Sequence, residues 1–207
     1  MSHTHHRSGN DESLRYDYVF VSLPAKGINR EGSGPKMCEI AKIFSKHNPN
    51  NSALDKWEGK MTPDATSEMF KDKQSYSAHA VLTSDEDLVA CLKELKEADW
   101  GISVVVSGLF GHVHECCRKA GVEPHTVNTS LGVWGNTSLL PEQGVRDIST
   151  MCGHGMITFG VIKDCVEKIK AGKLDAQAAA ERVRPLCTCG ILNIDRAVKI
   201  FNELASC

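Results

Sequence analysis

The sequence predicts an α/β protein in which a small mixed or parallel sheet is covered by helices and followed by a helical C-terminal region. Over the first two-thirds of the chain, short apolar runs rich in β-branched residues alternate with segments in which apolar residues recur every three to four positions. This alternation is typical of a sheet covered by helices. Beyond residue 140 only the helical spacing continues, so the last third is predicted to be helical.

The first strand and helix follow a polar N-terminal segment, residues 1–16, which is predicted to be a flexible tail. The run from Tyr18 to Leu23 is short, apolar and bounded by polar residues and Pro24, which predicts a buried strand. A helix is expected to begin near Pro35, because proline is favoured at the first helical position. Asn48-Pro49 ends it.

The later elements alternate in the same way, after a polar stretch over residues 48–75 that predicts a long loop, a short helical insertion or a lid. Strands are expected over 78–82, 102–106 and 125–127, and helices from Thr83 or Ser84, over 109–119 with Gly121 as the C-cap, over 157–170, from Asp175 to Arg182, and from Asn193 onward. The predicted organisation is therefore a tail (1–16), an α/β core (17–140) and a helical C-terminal region (141–207).

Composition excludes several classes of protein. A chain of 207 residues can bury a hydrophobic core without disulfides. The net charge of -2 argues against nucleic acid or an anionic membrane as a partner. The chain lacks an apolar run of the roughly 18–20 residues needed to span a bilayer, and its start lacks the apolar centre of a signal peptide. A cytoplasmic protein is expected, either alone, with another subunit or as a homo-oligomer.

Cysteine usage is the most unusual feature. The nine cysteines are odd in number and irregularly spaced, which argues against a disulfide framework. Reduced thiols that react, bind metal or pack are the remaining options. Cys91 and Cys165 lie on apolar helical stripes and are predicted to be core residues; Cys116 and Cys117 are assigned to packing, Cys38 is ambiguous, and Cys207 is expected to be inert.

Two glycine-flanked segments contain the cysteine and histidine residues that are the strongest candidates for a functional site. Cys152 and His154 lie in Met-Cys-Gly-His-Gly-Met, and Cys187 and Cys189 lie in Leu-Cys-Thr-Cys-Gly. Each segment precedes a predicted helix, whose N-terminus offers unpaired N–H groups and the positive end of a dipole. Both effects stabilise a thiolate, the form of cysteine that binds metal or attacks an electrophile. The sequence therefore predicts a metal or iron–sulfur site in the last third of the chain.

Four interpretations of this site remain open. In the first, Cys152, Cys187 and Cys189 hold a [4Fe–4S] cluster, and His154 is a fourth ligand or an acid–base group. Clusters with three protein thiolates occur in hydro-lyases, desulfidases and some reductases. In the second, the same four residues bind zinc, although structural zinc pairs are usually separated by two to four residues rather than one. The third is a metal-free thiol or sulfur-transfer enzyme, and the fourth is simple packing.

Other residues are candidates for substrate contacts. His112 follows the strongest predicted strand and is a candidate acid–base group, and Lys26 follows the first strand and can hold a carboxylate or phosphate. Asn128 lies in a loop of small polar residues, and Arg146 and Arg184 can bind a carboxylate with two hydrogen bonds. Surface roles are the alternative for each. Together these residues predict a metal-dependent enzyme of lyase, desulfidase or reductase type that acts on a small anionic molecule.

The histidine-rich start of the chain, Met-Ser-His-Thr-His-His, has two interpretations. It is either part of the flexible tail or a source of extra metal ligands that reach over a site.

Overall fold

The protein is described by a computed structural model that covers residues 7–52, 68 and 77–207. The expectations for the histidine-rich start, and for a lid over most of residues 48–75, lie outside the described residues. The chain divides into two compact units, one formed by residues 16–125 and the other by residues 1–15 together with 126–207. They are called here the sheet unit and the helical unit.

The predicted α/β class is confirmed, with helices throughout the C-terminal region. The described strands are β1 Tyr18–Ser22, β2 Asn51–Ser52, β3 Ala78–Leu82 and β4 Val104–Ser107. The described α-helices are α1 Asp11–Leu14, α2 Ser33–Lys46, α3 Asp85–Ala98, α4 Phe110–Ala120, α5 Gln143–Thr150, α6 Phe159–Lys170, α7 Ala176–Val183 and α8 Ile194–Ser206. Two short 3₁₀ helices cover Thr137–Leu139 and Arg184–Leu186.

Strand directions in the sheet differ from the expected mixed or parallel arrangement. The strand order is β2-β3-β1-β4, and each described pair of neighbours is antiparallel. β3 and β4 do run in the same direction and are joined through α3, as the alternating pattern suggests. However, β1 lies between them and pairs with both, for example through Phe20, which is opposite Ala80 and Val106. The crossover therefore joins parallel strands that are not neighbours.

The core of the sheet unit is formed by the strands and the apolar faces of α2, α3 and α4. Phe20 on β1 and Phe44 on α2 are both fully buried, and their ring centroids are 5.2 Å apart. Helix α3 begins where a capping residue predicts it, since the Ser84 side chain accepts a hydrogen bond from the N–H of Asp87. Helix α4 ends at Gly121, which adopts the left-handed conformation expected of a C-cap.

The prediction of a strand over residues 125–127 is wrong. Residues 121–136 contain neither helix nor strand. A short extended run needs a neighbouring strand to satisfy its N–H and C=O groups, and within the described sheet β4 has its single partner in β1. Val127 is instead exposed.

The helical unit is built around α8, which packs against α5, α6 and α7. Its fully buried side chains include Ile148 of α5, Ile162 of α6 and Phe201 of α8. The predicted caps are confirmed, because Asp175 accepts from the N–H of Ala178 and Asn193 accepts from the N–H of Arg196. Helix α5 was not predicted. Within the described residues, no helix is both long and apolar enough to cross a membrane.

Candidate metal centre

The first cysteine loop connects α5 to α6. Cys152 follows Met151, the C-cap residue of α5. The Ser149 hydroxyl donates a 2.7 Å hydrogen bond to the carbonyl oxygen of Ile157, which closes the loop at its base. Gly153 turns the chain with a φ of 74°, in the left-handed region that glycine adopts without strain. The loop therefore returns the chain after Cys152 and leaves the next side chain, His154, exposed.

The second cysteine loop leads into α8. Cys187 follows a short 3₁₀ helix, and its carbonyl oxygen accepts a 3.1 Å hydrogen bond from the N–H of Gly190. Gly190 has a φ of 66°, a left-handed conformation that glycine adopts without strain. This tight turn directs the side chains of Cys187 and Cys189 to the same side of the loop.

The two loops bring three sulfur atoms together. The Sγ of Cys189 lies 3.2 Å from that of Cys152 and 3.6 Å from that of Cys187, and all three sulfurs are within 4.8 Å of one another. Cys152 and Cys187 are fully buried and Cys189 is 8% exposed. None of the nine cysteines, all of which are described, forms a disulfide. Three close, buried sulfurs that are not bonded to one another could bind a metal ion.

Backbone N–H groups stabilise the negative charge of this cluster. The Sγ of Cys187 accepts hydrogen bonds from Cys152 and Cys189 and, in addition, from the N–H groups of Ile191 and Leu192. Against the opposing effect of burial, these bonds lower the pKa of Cys187 to about 2. These donors therefore favour the thiolate form of Cys187.

The pKa values of the other two thiols are shifted upward. Donation to Cys152 and Cys187 raises the pKa of Cys189 far above its usual range. Donation to Cys187 raises the pKa of Cys152, and this effect exceeds the lowering by the hydrogen bond that Cys152 accepts from Cys189. A metal ion that binds all three sulfurs displaces the protons that they still hold.

The source of thiolate stabilisation differs from the expected one. Cys152 lies directly after the C-terminal end of α5 rather than at the start of α6, which begins at Phe159. The dipole of α6 acts only over its first turn, too far along the chain to reach Cys152. The loop supplies the N–H group instead, because the backbone of His154 donates to the Sγ of Cys152.

His154 is placed to extend the ligand set. Its Nδ1 lies 3.3 Å from the Sγ of Cys152, and its side chain is exposed. A donor this close to one of the three sulfurs is within reach of an ion that they bind. His154 differs from the three cysteines in being accessible to solvent.

No protein-family model, curated protein or solved structure matches this chain. Its function therefore has to be argued from the chemistry of the site alone.

The remaining predicted substrate contacts are distributed over both units. Lys26, in the loop after β1, and His112, on α4, belong to the sheet unit. In the helical unit Asn128 is exposed, the guanidinium of Arg184 lies 3.4 Å from Glu181, and Arg146 donates to Gln143. These five residues stay predictions as substrate contacts.

The other buried cysteines have a different environment. Cys91, Cys116 and Cys117 lie in the hydrophobic core of the sheet unit, as does Cys38, whose role was left open. Burial raises the pKa of each thiol, and it does the same for Cys165 on α6. The interpretation of Cys91 and Cys165 as core residues is confirmed by their complete burial.

One residue of the centre has no counterpart in the sequence-based prediction. Arg7 donates from Nη1 to the carbonyl oxygen of Met151 and from Nη2 to that of Ile191, the latter over 2.8 Å. These carbonyls belong to the two cysteine loops. The sequence around Arg7 carries no periodicity or motif that would have indicated this role, because both partners are backbone atoms far along the chain.

Proposed function

We propose that the helical unit binds a single thiophilic metal ion, zinc, through Cys152, Cys187 and Cys189, with His154 as the fourth ligand. The observation that carries the proposal is the convergence of three buried sulfurs within 4.8 Å of one another. Three cysteines and one histidine are a common ligand set for zinc.

The spacing of the sulfurs favours one ion over a cluster. Around a tetrahedral zinc with Zn–S bonds of about 2.3 Å, sulfurs lie roughly 3.8 Å apart. Two of the separations here are 3.2 and 3.6 Å, so these sulfurs need to move apart only slightly. In a [4Fe–4S] cluster each thiolate binds a different iron at its own corner, which requires wider separations.

The ion would stabilise the helical unit. Cys152 is attached to the end of α5, and Cys187 and Cys189 lie shortly before α8. An ion bound to all three would fix the loop after one helix to the loop before another, as structural zinc does in other small domains. The exposed fourth position at His154 leaves a route by which a small anion can reach the metal.

A second candidate is an enzyme with a [4Fe–4S] cluster that acts on a small anionic molecule, of lyase, desulfidase or reductase type. The observation that favours it is the number of buried sulfurs, since three thiolates leave one iron of a cluster without a cysteine ligand. That iron would lie toward the exposed His154 and would bind substrate. Asn128, Arg146 and Arg184, which belong to the same unit as the cysteines, are then the proposed binding groups.

The deciding experiment is elemental analysis of protein expressed and purified without air, together with sulfide analysis and a visible spectrum. We expect a colourless protein with about one zinc per chain. Cys187→Ser should lose the zinc, because it removes one of the three sulfurs that would bind it. Cys165→Ser is the matched control, since Cys165 is equally buried but lies outside the cluster. It should retain the metal.

Other results would overturn the zinc proposal. A brown protein with stoichiometric iron and sulfide supports the cluster enzyme instead. Protein that stays free of both metals after zinc addition and after iron–sulfide reconstitution contradicts both candidates. In that case, rapid alkylation of Cys187 would support the metal-free thiol enzyme.

A further inference from the structure

The guanidinium of Arg7 bridges the two cysteine loops. Its two hydrogen-bond acceptors, the carbonyl oxygens of Met151 and Ile191, are 144 and 184 residues away in the sequence. Met151 immediately precedes Cys152, and the N–H of Ile191 itself donates to the Sγ of Cys187. Because a guanidinium is rigid and planar, one group that holds both carbonyls fixes the distance between the loops.

Residues 7–15, called here the N-terminal strap, are anchored to the two helices that flank these loops. The Ser8 hydroxyl donates a 2.7 Å hydrogen bond to Asp147 on α5. The guanidinium of Arg196 on α8 donates to the Ser8 carbonyl and, over 3.0 Å, to the Ser13 hydroxyl. The strap is therefore attached on both sides of the cluster.

Arg196 and Gly9 show that this attachment is closely packed. Arg196 is charged yet only 4% exposed, so its hydrogen bonds to the strap replace those that water would make. A Cβ atom at Gly9 would lie 2.6 Å from the Nη2 of Arg196. The strap backbone thus approaches a buried guanidinium so closely that only glycine fits at position 9.

Charge provides a second reason for an arginine at position 7. Three thiolates, a neutral imidazole and a divalent ion carry one net negative charge. A guanidinium whose hydrogen bonds end on the residue before Cys152 and on Ile191 opposes that charge. Arg7 therefore combines the geometric and the electrostatic requirement of the centre.

We infer that Arg7 is a positioning residue for the metal centre, and that metal binding and the ordering of the N-terminal strap are coupled through it. The inference rests on the metal site proposed above. Arg7 acts by holding the two loops that carry the sulfur ligands. Because such coupling is reciprocal, the metal orders the strap to the same extent that the strap tightens the metal.

The test compares metal affinity in three variants of the full chain. Zinc affinity is measured by competition with a chromophoric chelator, and ligand geometry by the visible spectrum of the cobalt-substituted protein. Residues that orient metal ligands change affinity by roughly 10–100-fold when substituted. We expect Arg7→Gln to weaken zinc binding by this factor and to alter the cobalt bands. Arg7→Lys, which keeps the charge but not the planar bridge, should fall between it and the wild type.

Arg182→Gln is the matched control. Arg182 is an exposed arginine of the same unit, paired with Asp164 over 3.1 Å and absent from both cysteine loops. It should leave zinc affinity and the cobalt spectrum unchanged. If Arg7→Gln does not fold, the comparison of Arg7→Lys with the wild type decides the question, with the same expected direction.

Hydrogen exchange provides the reciprocal measurement. Amides of residues 7–15 should exchange more slowly in the wild type when zinc is added, and should not respond in Cys187→Ser. Wild-type protein that binds zinc while Arg7→Gln and Arg7→Lys match its affinity and spectrum overturns this inference alone. Wild-type protein that binds no metal overturns the proposed function instead, so the two failures are distinguishable.

Discussion

Cys187 and Cys165 are both fully buried, yet their thiols have opposite chemistry. Burial is the main cause that raises the pKa of Cys165, which lies on the apolar face of α6. Cys187 is surrounded by donors, namely two thiols and the N–H groups of Ile191 and Leu192, and they lower its pKa. The direction in which the pKa of a buried thiol is shifted therefore depends on the hydrogen-bond donors around it and not on its exposure alone.

The role of His154 gives a prediction at the same scale. His154→Ala should keep zinc through the three sulfurs but with lower affinity, by roughly tenfold or more, because a fourth donor is lost. Added imidazole should restore part of the cobalt spectrum by occupying the vacated position. The measurement is a cobalt and zinc titration with and without imidazole.

The control for this prediction is His114→Ala. His114 is exposed on α4 and stacks on Phe110 with ring centroids 4.0 Å apart, and it belongs to the sheet unit, whereas the cysteines belong to the helical unit. It should bind zinc like the wild type. If His154→Ala also matches the wild type in affinity and spectrum, His154 is not a ligand.

At the scale of single elements, the helices that could be predicted are those with local start signals. Ser84, Asp175 and Asn193 cap α3, α7 and α8 as expected, because a capping side chain acts within three residues of itself. Helix α5 has no such cap, and its first residue follows Glu142 without a side-chain hydrogen bond. Its helical form depends on packing against α6 and α8, which sequence spacing does not show.

Two glycines at equivalent helix positions allow the effect of packing on stability to be distinguished from the effect of helix propensity. Gly144 and Gly160 are each the second residue of a helix, α5 and α6. A Cβ at Gly144 would lie 2.8 Å from Cδ2 and 2.9 Å from Cγ of Leu204 on α8, whereas a Cβ at Gly160 would meet nothing within 4 Å. Gly144→Ala should destabilise the protein by about 1–3 kcal/mol through overpacking.

Gly160→Ala should instead stabilise the protein by about 0.5–1 kcal/mol, because alanine restricts the unfolded chain and favours helix. Chemical denaturation of the two variants measures both changes in the free energy of unfolding. Equal effects of the same sign would show that α5 and α8 do not pack as closely as the distances to Leu204 indicate.

At the scale of the whole molecule, the features that escaped prediction are those set by distant partners. The run from Tyr18 to Ser22 predicts a strand, but nothing in it shows that β1 is inserted between β3 and β4. Likewise the glycines around Cys152 and Cys187 indicate two loops for ligands, whereas their convergence depends on how α5 and α8 pack. The bridge by Arg7 depends on backbone carbonyls, which have no sequence signature. Local rules therefore predict elements and ligand types, and long-range packing decides how they assemble.

Metal removal should show how far the whole molecule depends on this assembly. Binding to the folded state alone stabilises it by about 2.7 kcal/mol when free zinc is a hundredfold above its dissociation constant. For a chain of this size that corresponds to a rise in Tm of roughly 5–10 °C. Calorimetry with zinc and with a chelator measures it. Magnesium should give no shift, because it prefers oxygen ligands.

Cys187→Ser provides the internal reference for this prediction, since it keeps α5, α8 and the N-terminal strap but lacks one of the three sulfurs. Its Tm should be the same with zinc as with a chelator, and lower than that of the zinc-bound wild type. The Tm of the Arg7→Gln variant should also rise with zinc, but only at higher zinc concentration, because its zinc affinity is reduced. The stabilisation grows with the ratio of free zinc to the dissociation constant. A wild-type Tm that is identical with zinc and with a chelator would contradict the assignment of the three sulfurs as a stabilising metal site.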